Sequence, residues 1–383
     1  MTKAKFKSFW DKFGTLTILI FLMACLSIAS PKYFLTLDNF KQIGLQSTVY
    51  ILLAFGEFFA ILLAGIDLSV GSVAALTGTF IALMLKAEVP VVAAILLGLL
   101  ISIVFGIVNG ALINALDLHP FVVTLGTNTI FRGITLVISK GSPIYGLPAS
   151  FKNLSSYVAG FPIPLIFALV MTVILVWFTN NTVAARNLYA LGGNKQSAWY
   201  SGINTQRYTL FAHILASFLA GIAGVIMTSR VGAAEPTAGD GYETFAIAAC
   251  IIGGTSFFGG KGKIFGVLLG GLTIGTITNG LNILNVSSYY QKIVMGALII
   301  GSVALEKLVS NSVKNKSISS GLLLKKYRKK IIICNVQGVG NTPCTFMLLN
   351  VYEKRRRKDE SRIFPIINVY GFPENGGAVQ YPE

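Results

Sequence analysis

Ten predominantly apolar stretches follow one another over the first 310 residues, at 14–31, 44–65, 68–86, 90–116, 121–139, 162–180, 209–229, 245–258, 264–285 and 290–309. Most are about 20 residues long, the length of helix that crosses a bilayer core about 30 Å thick. Lipid offers no partner to a free amide or carbonyl, so a crossing segment has to bond its own backbone, as a helix does. The expected fold is an all-α polytopic membrane protein of about ten spans. The stretch 245–258 (FAIAACIIGGTSFF) is too short to cross alone. It reads as a broken or re-entrant helix, tolerated only where protein or a cavity surrounds it.

Composition points the same way. Of the 383 residues, 54% are hydrophobic and 12% charged, against about 25% charged in an ordinary soluble domain. A disordered chain, a collagen-like fibre and most soluble enzymes are thereby excluded. Four cysteines (Cys25, Cys250, Cys334, Cys344) are too few for a disulfide scaffold, and two histidines (His119, His213) argue against a multi-histidine metal centre.

The net charge of +16 is unevenly spread, since residues 311–383 hold 13 of the 31 Lys and Arg but 5 of the 15 Asp and Glu. No nucleic-acid recognition motif accompanies it, so nucleic acid is not an expected partner. Basic residues beside apolar spans instead set membrane orientation. With the N-terminus in the cytoplasm, the inner loops collect Lys3, Lys5, Lys7, Lys12, Arg186, Lys195, Arg207, Lys261 and Lys263. The outer loops collect Lys32, Lys41, Lys86, Lys140, Lys152 and Arg230. An even number of spans returns the C-terminus to the cytoplasm. The first stretch, behind four lysines, could pass for a signal peptide, but nine further stretches make it a retained span.

A faint repeat relates LLGLLISIVFGIVNGALINAL (96–116) to LLGGLTIGTITNGLNIL (268–284), pairing Asn109-Gly110 with Asn279-Gly280. The two are the fourth and ninth stretches, so they cross in opposite directions. Inverted repeats of this kind occur in transporters, although two Gly/Leu-rich helices can also resemble each other by chance.

Signatures of covalent chemistry are scarce. GGTSFFGGKGK (253–263) imitates a phosphate loop, but Thr255 and Gly262 stand where that loop needs Gly and Ser or Thr. If transport is ATP-driven, the ATPase is another polypeptide. Between the second and third stretches, Gly65-Ile66-Asp67-Leu68-Ser69-Val70-Gly71-Ser72 places Asp67 and Ser69 where they can cap the next helix or gate a pathway. Glu57 lies in the middle of the second stretch, where a charge costs about 2.5–3.5 kcal/mol on insertion scales and calls for a cavity or a partner. Arg132 in FRGITLVIS is a candidate counter-charge. The two either line a substrate path or form a structural pair. The long inner loop 181–208 carries an apolar stripe at Leu188, Leu191 and Ala198, as for a short helix along the membrane surface that docks a partner. The outer segment 229–243 is either a solvated turn or a surface to which a soluble partner delivers substrate.

Six strings then carry a family resemblance: GIDLSVGS (65–72), PFVVTLGT (120–127), FRGITLVISKGSPI (131–144), YALGGNKQSAWYSGIN (189–204), EPTAGDGYETFAIAACIIGGTSFFGGKGKIFG (235–266) and NGLNILNVSSYYQKIV (279–294). Over roughly residues 1–310 the chain resembles the monosaccharide permeases of ABC importers, most of all those for ribose. The resemblance implies a ten-span homodimeric permease with the substrate path between two copies. It also implies a cytoplasmic ATPase docked on the inner loops and an extracytoplasmic sugar-binding protein. It further implies that no cofactor is bound by this chain and that ATP is used by the partner ATPase. The coupling segment for that ATPase falls on Arg186, Tyr189, Gly192, Gly193, Asn194, Gly202 and Ile203. Glu57, Asp67, Ser69, Arg132 and Asn279 are the candidate path residues.

The likeness ends near residue 310. Residues 311–383 form a basic extension with runs at 325–330 and 354–358, an apolar IIICNV (331–336) too short to span, and Cys334 and Cys344 expected as reduced thiols. It reads as a lipid-binding tail, a small appended module or a non-native extension. The expected function is ATP-driven import of a monosaccharide, ribose first, through the cytoplasmic membrane. Its competitor is an ion- or proton-coupled secondary transporter, for which the spans lack a chain of ionisable groups.

Overall fold

The computed structural model describes residues 3–304 other than 288, 292, 295 and 302, together with the strand segments 328–336, 345–353, 367–372 and 379–380. The chain divides into two compact units, Met1–Ala304 and Leu305–Glu383.

The first unit begins with α1 (Lys3–Ala29), α2 (Pro31–Phe34), α3 (Leu37–Leu62), α4 (Val70–Lys86), α5 (Val91–Leu116) and α6 (Pro120–Ser139). It continues through α7 (Ala149–Lys152), a hairpin of β1 (Tyr157–Val158) and β2 (Phe161–Pro162), and α8 (Ile163–Asn181). Then follow α9 (Val183–Gly193), α10 (Lys195–Tyr200), α11 (Thr205–Val231), α12 (Tyr242–Ile252) and α13 (Ile264–Ile283). The described residues of 289–304 are helical. Local chemistry sets several starts. Thr36, Thr182, Asn194 and Asn204 each accept the amide three residues on, at the heads of α3, α9, α10 and α11. Pro120 opens α6, where its missing donor costs nothing.

Six helices, α3, α5, α6, α8, α11 and α13, are long and apolar enough to cross a membrane, and each overlaps an expected stretch. The apolar part of α1 (Gly14–Ala29) and the helices α4 and α12 are shorter. Burial sorts these helices into layers. The most apolar window of α3 is 94% buried and that of α11 is 72% buried, whereas those of α5, α6 and α8 are 22%, 28% and 22% buried. The central pair is therefore α3 and α11. The outer helices keep apolar side chains such as Leu96, Leu100 and Val104 on their exposed faces, as helices solvated by lipid do. The inward face of α5 carries five small residues at every fourth position, Ala94, Gly98, Ser102, Gly106 and Gly110, of which Gly106 and Gly110 let its backbone close on α11.

Two links do not simply turn at the bundle surface. Segment 63–69, between α3 and α4, folds back so that Asp67 bonds His213, eight residues inside α11. Segment 232–241, between α11 and α12, is held by Arg132, seven residues or about 10 Å short of the end of α6. The two segments meet where α4 begins: a Cβ on Gly71 would lie 2.4 Å from the Gly239 carbonyl oxygen. Segment 229–243 is thus no solvated turn, since Pro236 and Gly239 are buried.

In the second unit β3 (Arg328–Val336), β4 (Thr345–Glu353), β5 (Ile367–Phe372) and β6 (Val379–Gln380) pair antiparallel in chain order. An all-α chain was expected, and these strands depart from it. The IIICNV run sits inside β3, where a β-branched run is at home. Cys344 lies outside the described residues.

Gly71→Val should drive a branched side chain into the Gly239 backbone, an overpacking cost of about 1–3 kcal/mol or more. A lower thermal midpoint of the detergent-solubilised protein is the expected result. Gly126→Ala is the control, because a Cβ there meets nothing within 4 Å.

Candidate functional site: a buried polar network and the coupling segment

Five parts of the chain bring polar groups to one point inside the bundle. Glu57 of α3 accepts the Asp67 amide through Oε1 at 3.1 Å. Asp67 in turn accepts the Ser69 amide at 2.9 Å and the Ser69 hydroxyl at 2.5 Å through Oδ1. Its Oδ2 lies 3.0 Å from Nδ1 of His213 on α11. Asn109 of α5 donates to the Ser69 hydroxyl at 2.8 Å. Thr124 of α6 accepts the Leu68 amide at 3.2 Å and donates to the Ile66 carbonyl at 3.0 Å. All six side chains are buried.

The arrangement answers a strict demand. A carboxylate away from water is stabilised when its oxygens are bonded; both oxygens of Asp67 are, whereas Glu57 bonds through Oε1 alone and its Oε2 has no partner. The carboxylate opposite Nδ1 fixes the proton on that nitrogen. Ser69 occupies the position just before α4 but its hydroxyl caps nothing; Asp67 bonds the Ser69 amide instead. The expected capping pair is therefore an Asp-centred turn, because the helix start is packed against Gly239 and leaves no room for a surface cap.

Arg132 does not join this network. Its Nη1 donates to the carbonyls of Pro236 at 2.7 Å and Ala238 at 2.8 Å. Lys41 pairs with Asp38 and Lys195 with Asp117, while the Asp67–His213 contact is ionic only when the imidazole is protonated; Glu57 and Arg132 do not pair, so the structural pair that the sequence left as one alternative does not form. The reason is that segment 232–241 exposes carbonyls with no helical partner, and the guanidinium supplies the donors they lack. Asn279 also lies elsewhere, near the far end of α13, donating to Asn39 Oδ1 at 2.8 Å.

His213 and Thr124 were not singled out from the sequence. For His213 the signal was present, as one of two histidines and an ionisable group inside an apolar stretch.

The residues expected to form a coupling segment are built on α9 and α10. Arg186, Tyr189, Gly192 and Gly193 lie on α9, Asn194 caps α10, and Gly202 and Ile203 follow it. The Tyr189 hydroxyl donates to the Gly262 carbonyl at 2.9 Å. Burial pushes its phenol above the ordinary range, which keeps it a donor. Gly192 touches the end of α3 so closely that a Cβ would lie 1.7 Å from the Leu62 carbonyl oxygen. That same carbonyl accepts the Gly260 amide at 2.9 Å. In the phosphate-loop look-alike, then, the Gly260 amide is committed to Leu62. At the end of α10, Trp199 and Tyr200 are exposed, with rings 5.1 Å apart. Among the described residues no group of three or more His, Cys, Asp or Glu is placed to hold a metal ion.

Residues 39–303 match the family model described as branched-chain amino acid transport system / permease component. The chain is 55% identical to the D-allose transport system permease protein of Escherichia coli (strain K12), over 80% of this chain and 94% of that one. It is 42% identical to a ribose import permease protein of Bacillus subtilis (strain 168), over 79% and 94%. An autoinducer 2 import system permease protein of Yersinia pseudotuberculosis serotype O:3 (strain YPIII) is 35% identical over 75% and 82%. No solved structure matches the chain.

His213→Ala leaves a buried carboxylate without its imidazole and should cost about 3–5 kcal/mol, read as a fall in thermal midpoint. Asp67→Asn in that background should restore part of the loss, because the uncompensated charge is gone. Glu57→Gln, which keeps an acceptor for the Asp67 amide, should leave the midpoint near that of the unaltered protein.

Proposed function

We propose, since this chain belongs to the family of branched-chain amino acid transport system / permease components, that it is the membrane-spanning subunit of an ATP-driven importer carrying a monosaccharide across the cytoplasmic membrane. Members of the family are transport permeases rather than enzymes, and the chain is a multi-pass membrane protein. The observation that carries the mechanism is the backbone joint of Gly192, Gly260 and Leu62. It connects the segment on which an ATPase would dock to a helix end five residues from Asp67.

In this reading a cytoplasmic ATPase grips α9 and α10, with Trp199 and Tyr200 as aromatic anchors of the kind enriched at interfaces. ATP binding favours one arrangement of α9 over another, and the Leu62 joint passes the shift to segment 63–69. Access alternates because the two arrangements are differently stabilised. Glu57, Asp67 and Ser69 hold the moving turn next to the path, and Arg132 holds segment 232–241. A second copy of the chain completes the path, and an extracytoplasmic binding protein delivers the sugar. Both termini face the cytoplasm.

Ten spans in two inverted halves fit the packing. Exchanging α3, α4 and α5 for α11, α12 and α13 maps the contact of α5 with α11 onto that of α13 with α3. It likewise maps the contact of α4 with α11 onto that of α12 with α3. Residues 311–383 are an accessory extension outside the permease domain at 1–310. For the cargo, the motifs favour D-ribose, while the 55% identity to a D-allose permease favours D-allose. The two sugars share the same run of like-configured hydroxyls and differ by one CHOH unit, so one path can serve either.

The test is uptake of labelled D-allose and D-ribose in cells that lack this gene but keep its partners, complemented with the whole chain or with a version stopped after Ser310. Uptake of at least one sugar, abolished when the ATPase is deleted, is expected from both versions. Uptake that survives ATPase deletion would instead establish a secondary transporter. No rescue by either version would exclude both sugars.

A further inference from the structure

At the end of the bundle away from α9, a concave cup opens between three helices. Asn39, Gln42 and Gln46 line it from the first turns of α3, Arg230 from the last turn of α11, and Asn279 and Asn282 from the end of α13. Gln42 and Leu62 are twenty residues apart on α3, about 30 Å along its axis. The cup encloses about 510 Å³, within the range of about 300–1,000 Å³ for small-molecule sites.

Its chemistry is selective. Five carboxamides and one guanidinium line it, and no carboxylate does. A cation would find no countercharge. An anion would be matched by Arg230 and by the amide N–H groups, but would offer no donor to the carboxamide oxygens. A neutral polyol uses all of them, because each of its hydroxyls donates and accepts, and each carboxamide does the same. The fork of Arg230 suits two adjacent hydroxyls.

A second observation points into the same space. Asn279 is 7% exposed, and its Oδ1 has no hydrogen-bond partner although its Nδ2 is tied to Asn39. A buried acceptor left unpaired is costly unless something supplies a donor. Asn282 is held in place by Gln291, which donates to its Oδ1 at 2.8 Å. One helical turn deeper than Gln46 on the same face of α3, Tyr50 packs against Tyr242 and Phe245, each ring pair 5.3 Å apart. Tyr242 opens α12 directly after segment 232–241. The floor beneath the amide rim is thus held by a packed aromatic trio.

We propose that this cup is a monosaccharide-binding site of the permease itself, in which Asn279 Oδ1 accepts a sugar hydroxyl. The proposal rests on the sugar-import reading and adds to it a holding point within this chain.

The test is ligand-observed saturation-transfer NMR on the purified full-length protein in lipid nanodiscs, with D-allose and D-ribose as probes. Gln42→Leu alters a side chain exposed to the cup and should leave the thermal midpoint unchanged, whereas Asn282→Leu also removes the acceptor for Gln291 and should lower the midpoint slightly. Saturation transfer to at least one sugar is expected from the unaltered protein, with a dissociation constant at least tenfold higher in each variant and no displacement by inorganic phosphate. Binding of neither sugar, equal binding by the variants, or displacement by phosphate would overturn the site. Uptake by the same chains separates the two levels of the reading. Sugar bound but not imported would leave the cup standing and overturn the importer. Sugar imported equally by all, with no binding to the purified chain, would keep the importer and overturn the cup.

Discussion

The interior of this bundle is governed by the need to bond a backbone that is not helical. Segments 63–69 and 232–241 are not helical, and where their backbone is buried its amides and carbonyls need partners from the protein. Side chains from the surrounding helices meet that need. Glu57 and Thr124 take the amides of Asp67 and Leu68, and Arg132 gives two donors to the carbonyls of Pro236 and Ala238. Each buried polar residue in turn needs a partner, and so Asp67 recruits His213 and Ser69 recruits Asn109. The rest of the polar core follows from these two interruptions.

Close backbone approach is the second consequence. Gly71 against Gly239, and Gly192 against Leu62, are contacts without space for a Cβ. In lipid the hydrophobic effect does not press helices together, so small residues and the dispersion contacts they permit do so. The same contacts make the bundle mechanically continuous. A displacement of α9 cannot be absorbed by a flexible side chain between it and the end of α3, because none stands there. In the proposed mechanism it reaches the segment that carries Asp67, and beyond it the start of α4 and the segment facing it.

Much of this was legible in the residues. The apolar stretches marked the long helices, since lipid demands length and apolarity together, and the shortness of 245–258 marked α12 as a helix that does not cross alone. The loop 181–208 declared its short helices through Leu188, Leu191 and Ala198, all of them buried. Glu57 and Asp67 stood out because charge in an apolar run demands a partner. Which partner was not legible. Arg132 was the only cation in a neighbouring span that looked free to pair with Glu57, yet it bonds carbonyls of a segment about a hundred residues away in sequence. His213 passed unnoticed because a lone histidine has no motif. The strands at 328–380 passed unnoticed because only the IIICNV run hints at them.

The sequence by itself determined that the chain lives in a membrane, that its long apolar stretches form helices, and which residues are too polar for their surroundings. Those properties depend on local composition and period, which a linear string records. Only the tertiary structure decided that Asp67 pairs with His213, that Arg132 serves the backbone rather than Glu57, and that amides from α3, α11 and α13 meet in one cup. Pairings of that kind depend on how helices distant in sequence cross. The crossings are set by small-residue contacts summed over the whole bundle, which no single segment encodes.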